Sequence, residues 1–195
     1  MKKKIICIEG ETASGKDSIA KYISENLNIP MVVSYTTRPM RSSEKEGREH
    51  YFVSKDEMER IKREESIFAY TKIEDKNKSD ADGYEYCTTL ESLKDDVFLY
   101  IIDPNGIEYI RSHQNLLDAV ELLVLYIYVP YEVRYERAKN SRSDFSKFET
   151  RSLQEKAQFE KARENVNYDL IVDNVDFNNA VFEAEVAIRK FLKED

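Results

Sequence analysis

The sequence predicts an α/β fold: a parallel sheet covered by helices on both faces, interrupted early by an inserted polar subdomain and late by a short polar connection. Three observations carry this. A buried strand, a glycine turn and an amphipathic helix follow one another at the start of the chain. Apolar runs of strand length then alternate with helical patterns, the order that builds a parallel sheet. Residues 35 to 95 break the alternation with a stretch rich in charge and aromatics.

Taken in order, "KIICIE" is an apolar run that ends just before the glycines and fits a strand buried on both faces. "KDSIAKYISENL", from Lys16, sets Ile19, Ile23 and Leu27 at helical spacing. "MVVSYTT" and "VFLYIID" read as further buried strands, "LLVLYIYV" as the strongest, closed by Pro130, and "YDLIV" as the last. Helical patterns fill the gaps in "NGIEYIRS", "YEVRYERAK", "TRSLQEKAQFEKARENV" and "NNAVFEAEVAIRKFL". Within the polar insert, 74–83 ("EDKNKSDADG") is expected to be a mobile loop. "NSRSDFSKFE" is a second polar break between two helices, and no internal repeat is visible.

The turn after the first strand spells most of a phosphate loop. Gly10, four residues, Gly15 and Lys16 match G-x-x-x-x-G-K, but Asp17 stands where a Ser or Thr belongs. In such a loop the glycines let backbone N–H groups curl around phosphate oxygens. The helix N-terminus adds partial positive charge, and the lysine reaches the β and γ phosphates. The missing hydroxyl normally ligates Mg²⁺, a hard cation that also accepts carboxylate oxygens. Asp17 is therefore expected to hold the ion directly or through water, although the helix macrodipole alone also favours an acid there.

Composition limits the partners. With 38 acidic and 30 basic residues the formal net charge is −8, which argues against a nucleic-acid surface. Cys7 and Cys87 lie far apart without metal-ligand spacing, so a reducing compartment is the simpler setting. The N-terminal apolar run, Ile5 to Ile8, is too short for a signal peptide or a membrane span. A soluble, cytoplasmic protein with no membrane partner is expected.

The phosphate acceptor is indicated by "SYTTRPMRSSEKEGREHYFVSKDEM". Arg38 and Arg41 lie three apart beside Ser34, with Gly47, His50 and Phe52 following. Arginine forks bind phosphate bidentately, although spare arginines on a solvated loop would look the same by composition. Here the sequence resembles the guanylate kinases, whose signature is S-x-(S/T)-T-R-x-x-R-x-x-E-x-x-G-x-x-Y-x-F. Ser34, Thr37, Arg38, Arg41, Glu44, Gly47 and Phe52 fall in register, and His50 takes the tyrosine position with Tyr51 adjacent. The resemblance spans essentially the whole chain.

That resemblance implies a P-loop NTPase three-layer core (1–34 and 96–195), an inserted NMP-binding subdomain (about 35–95) and a lid (about 140–152). It implies transfer of the ATP γ-phosphoryl group to GMP or dGMP with Mg²⁺ as cofactor. Gly10, Ala13, Ser14, Gly15, Lys16, Asp17, Ser18, Arg137 and Asn174 would then bind ATP. Ser34, Arg38, Arg41 and His50 would hold the acceptor phosphate. Tyr86-Cys87-Thr88 is similar to the family's Y-G-(S/T), so Tyr86 would bond that phosphate and Thr88 the guanine. "IIDPNG" resembles the family's I-D-x-x-G, making Asp103 a guanine or metal-water contact. Arg137, Arg142 and Arg151 would be the lid arginines, slightly displaced in spacing; pairing with Glu132, Glu136 and Glu155 on helix surfaces is the other reading. Lys16, Arg41, Arg137 and Arg151 would neutralise charge during transfer.

Departures bear on the base. The family's guanine-reading glutamate aligns with Ala69, and the chain between there and Tyr86 is longer than usual, with Glu74, Asp75, Asp80 and Asp82 inserted. The family's N-D near the adenine is reversed as Asp173-Asn174. Three other functions therefore stand beside the guanylate reading. One is a kinase of the same fold for another nucleotide or for ribose 1,5-bisphosphate. The others are a non-catalytic phosphopeptide-binding module and a nucleotide sensor without turnover.

Overall fold

A computed structural model describes residues 2–41, 44–73, 83–141, 145–165 and 167–193. Four parallel strands form the main sheet in the order β6-β1-β7-β8: β1 (Lys3–Glu9), β6 (Val97–Ile101), β7 (Val120–Tyr128) and β8 (Leu170–Asp173). Ile5 to Ile8 of β1 are fully buried because helices cover both faces. On one face Ile6 and Ile8 meet Ile19, Ala20 and Ile23 of α1 (Lys16–Leu27) and Ala180, Ala184 and Ile188 of α7 (Phe177–Leu192). On the other, Ile5 and Cys7 meet Ile107 and Ile110 of α3 (Pro104–Ser112) and Leu116 of α4 (Gln114–Ala119).

Local chemistry sets the helix ends. Asp103 caps α3 by accepting from Gly106 N at 2.8 Å, and Pro104 follows at the first helical position, where its missing N–H costs nothing. Asp176 caps α7 in the same way through Asn179 N. Asn28 ends α1 in the left-handed region at φ 51°.

The insert forms a second sheet, ordered β3-β2-β5-β4, from β2 (Ser34–Thr36), β3 (His50–Phe52), β4 (Ile67–Ile73) and β5 (Tyr84–Thr89). The helix α2 (Lys55–Glu64), capped by Ser54, lays Met58 and Ile61 against Cys87 of β5. The second sheet touches the core where Phe68 and Ala69 of β4 join the cluster under α3.

"MVVSYTT" is not one core strand. Met31 makes an isolated bridge to Leu99 at the edge of the main sheet, and Val32 N donates to the Leu99 carbonyl. The chain then crosses over, so Ser34–Thr36 pairs with β3 and β5 instead. The polar break after α5 (Tyr131–Ser141) is shorter than its composition suggests, because α6 (Phe148–Glu164) already starts at Phe148. Phe148 is buried against Ala13 and Ala138, with Phe145 and Tyr135 packed alongside, and this apolar contact starts the helix inside a polar segment. Of the expected mobile loop at 74–83, all but Gly83 lies outside the described residues, as does Arg142. Among the described residues no helix is long and apolar enough to cross a membrane.

Candidate functional site

The loop between β1 and α1 is shaped by backbone geometry. Gly15 at φ 82° and Ala13 at φ 63° are left-handed, which curls the chain back over the helix start. A Cβ at Gly10 would stand 2.7 Å from Ser14 Oγ and 2.8 Å from the Ile127 carbonyl, so only glycine fits there. Ser18 faces solvent on the first turn of α1, while its N–H donates to the Gly15 carbonyl.

Distant side chains clamp the loop. Glu11, inside it, accepts from Arg134 Nη2 at 2.9 Å and from the Tyr126 hydroxyl at 3.1 Å. Arg134 also donates to the carbonyls of Thr12 and Val129, and it is 4% exposed. Arg163 supports the cluster by donating to the Tyr126 hydroxyl at 2.8 Å. Asn174 donates from Nδ2 to the Ser14 carbonyl at 2.7 Å, so this residue, expected at the adenine, grips the loop itself. Thr12 N donates to Glu155 Oε2 on α6 at 2.6 Å.

Charge converges on the loop. Lys16 Nζ lies 3.8 Å from the Asp17 carboxylate, whose side chain is 72% exposed and so points outward instead of into the loop. Arg137 on α5 donates to the carbonyls of Asn174 and Val175, which holds its guanidinium beside Gly15. These are backbone partners, not Glu132 or Glu136.

The second sheet builds a cationic cluster. Arg38 is held by Glu44 through two oxygens, at 3.0 and 2.8 Å, and its Nε donates to the Tyr86 hydroxyl at 3.1 Å. Burial works against the Arg38 charge, but Glu44 and Tyr86 outweigh it and raise its proton affinity. Arg41 sits 3.7 Å from the same Glu44, half exposed, with its proton affinity lowered by burial and by the charges of Arg38 and Arg151. The influence of Arg151 brings α6 into this cluster. Ser34 Oγ and His50 Nδ1 are 2.9 Å apart, and burial together with Arg38 and Arg41 lowers the proton affinity of His50 below its ordinary range.

The base-reading residues stand differently from expectation. Thr88 is fully buried and its hydroxyl bonds that of Tyr100 at 2.7 Å, so one of its hydrogen bonds is spent in the core. Ala69 pairs with Thr88 across the strands and is 2% exposed. Asp103 spends one oxygen on the α3 cap and on Thr71 Oγ1 at 3.0 Å, and burial raises its carboxyl above the ordinary value. Glu9, the last residue of β1, is fully buried with neither carboxyl oxygen partnered, and burial pushes it up to about 8. The sequence reading overlooked Glu9, Glu11, Arg134, Tyr100 and the loop contact of Glu155. A signal existed for Arg134, which lies four residues before Ala138 on the buried side of α5.

The guanylate kinase family profile matches residues 2–191. A guanylate kinase of Rickettsia bellii is 29% identical over 179 residues, covering 91% of this chain and 88% of its own. One from Symbiobacterium thermophilum is 30% identical over 185 residues, covering 94% and 83% respectively. The crystal structure of guanylate kinase from Anaplasma phagocytophilum superposes with a TM-score of 0.65 at 22% identity, covering 98% of this chain and 86% of that one, a likeness of fold.

Proposed function

The chain belongs to the guanylate kinase family, and we propose that it transfers the γ-phosphoryl group of ATP to GMP or dGMP, giving ADP and GDP or dGDP. The observation that carries the reading is a pair of built sites: left-handed Ala13 and Gly15 curl the loop over the start of α1 with Lys16 at its first position, and on the second sheet Arg38 and Arg41 share Glu44 near the Tyr86 hydroxyl and the Ser34–His50 pair.

In this reading the core comprises 1–34 and 96–195, the acceptor subdomain about 35–95 and the lid about 140–152. Backbone N–H groups of Ala13 to Ser18, with Lys16, receive the donor phosphates. Ser34, Arg38, Arg41, His50 and Tyr86 receive the acceptor phosphate. That phosphate is already anionic, so no general base is required; the protein aligns the groups and neutralises charge through Lys16, Arg41, Arg137 and Arg151. Closure of lid and subdomain excludes water. Mg²⁺ needs one or two carboxylates besides phosphate oxygens and waters, and Asp17, pointing outward beside Lys16, would hold the ion through a water and not directly. When bound, the ion offsets charge on the donor phosphates. The two cysteines are free and buried, which suits a reducing cytoplasm.

A second acceptor class is favoured by one observation: Ala69 brings no carboxylate to its strand, and the Thr88 hydroxyl is bonded to Tyr100. Measuring ADP release with GMP, dGMP, other nucleoside monophosphates and a sugar bisphosphate separates the readings. Turnover with GMP or dGMP above all others is expected. Exclusive use of the sugar bisphosphate would reject the guanylate reading, and no ADP with any acceptor would favour a binding module or sensor.

A further inference from the structure

The phosphate loop of this protein holds a carboxyl group of its own. Thr12, within the loop and 4% exposed, donates its backbone N–H to Glu155 Oε2 at 2.6 Å. Glu155 lies on α6 and reaches the loop across 143 residues of sequence. The Thr12 N–H immediately precedes the amides of Ala13 to Ser18 that receive phosphate, and a carboxylate oxygen presents the same acceptor chemistry as a phosphate oxygen. Lys16, the residue that meets phosphate charge, is also the strongest electrostatic influence favouring the ionised form of Glu155. Burial outweighs Lys16, the Thr12 N–H and Arg134, with Glu11 adding to it, so the Glu155 carboxyl is raised above its ordinary range and gives up its place to a stronger anion more readily.

We infer that Glu155 is an internal stand-in for a phosphate oxygen: without nucleotide it occupies the donor-phosphate end of the loop, and the incoming polyphosphate displaces it. The inference rests on the proposed reading of the loop as the ATP site. A second anion arriving beside one amide and one lysine, in a partly buried place, repels the carboxylate already there. Displacement also has a consequence for the acceptor. Arg151 lies four residues before Glu155 and so shares its helix face, and after burial and Arg38 it is among the charges that lower the proton affinity of Arg41. The same face of α6 thus carries an acid for the empty cradle and a base for the loaded one. ATP arrival, by releasing the acid, frees the arginine-bearing turn to settle over the phosphates.

The test compares ATP and AMP binding by calorimetry, at one fixed Mg²⁺ concentration, for the wild type, Glu155→Gln and Glu155→Ala. Gln keeps an oxygen for the Thr12 N–H and removes the charge, so it separates displacement of an anion from loss of a clamp. Both variants are expected to bind ATP roughly ten-fold more tightly, with AMP unchanged and KM for ATP lowered more than kcat. A Glu155→Gln protein that melts like the wild type but binds ATP no more tightly would overturn the inference; this variant decides the matter even if the Ala variant fails to fold. A wild type that binds no ATP would overturn the donor-site reading and the stand-in with it.

Discussion

The hydroxyls of Thr88 and Tyr100 meet at 2.7 Å in the core, below the strand that carries Ala69. A carboxylate recognises guanine by accepting from two adjacent ring-edge donors. Here the strand position that would supply it is a buried alanine, and the neighbouring hydroxyl is committed inward.

Ala69→Glu is therefore expected to destabilise the protein before it helps any base. The site lies among Phe68, Tyr100 and Ile102, and an unpaired buried carboxylate costs several kcal/mol. A loss of about 3 kcal/mol would lower Tm by roughly 10 °C in a chain of this size. An unchanged melting temperature together with a lower KM for GMP would show that the site opens to ligand.

Lys16→Ala should leave the melting curve near that of the wild type and cut turnover by about 10²–10³-fold, as loss of a single charge-stabilising group does. Its ionic partner Asp17 is exposed and 3.8 Å away, so no buried ion pair is broken. Wild-type turnover in this variant would remove the loop from the reaction.

Glu44→Ala should raise KM for the phosphorylated acceptor about ten-fold, with a smaller effect on kcat. The carboxylate holds Arg38 through two oxygens and also accepts from the Arg41 backbone N at 2.7 Å. Burial disfavours its charge, but these donors outweigh that and keep it ionised. Without it both arginines lose their orientation, and a lost charged hydrogen bond is worth about 1.5–3 kcal/mol. An unchanged KM would mean that the phosphate itself orders the two arginines.

Glu9 gives the protein a pH dependence of its own. Burial pushes its carboxyl from the ordinary 4.5 up to about 8, with Arg111 opposing and Asp103 adding. The folded state thus holds this proton more tightly than the unfolded chain. Its contribution is full below about pH 4.5 and is lost as pH rises through about 8, by at most about 1.4 kcal/mol per unit. Glu9→Gln cannot ionise, so its stability should exceed the wild type's increasingly between pH 5 and pH 8. Denaturant unfolding at both pH values checks this, and parallel profiles would show that Glu9 is ionised without penalty.

By itself the sequence determined the strand–loop–helix that presents Lys16 and the Arg38–Arg41 pair, because those features need only neighbours. Glycine spacing, an apolar run and a helical period are local in the chain, and buried parallel strands such as β7 advertise themselves by unbroken hydrophobicity. The tertiary structure alone decided what clamps the loop and what meets the base. Glu11 finds Arg134 across 123 residues and Thr12 finds Glu155 across 143. A charged residue carries no mark of its distant partner, so Arg134 reads in sequence as one more helix arginine. The same holds for Thr88, whose hydroxyl suits a base or the core equally well. Only the fold, which brings Thr88 of β5 within 2.7 Å of Tyr100 on β6, paired the two, because a buried tyrosine hydroxyl must be satisfied.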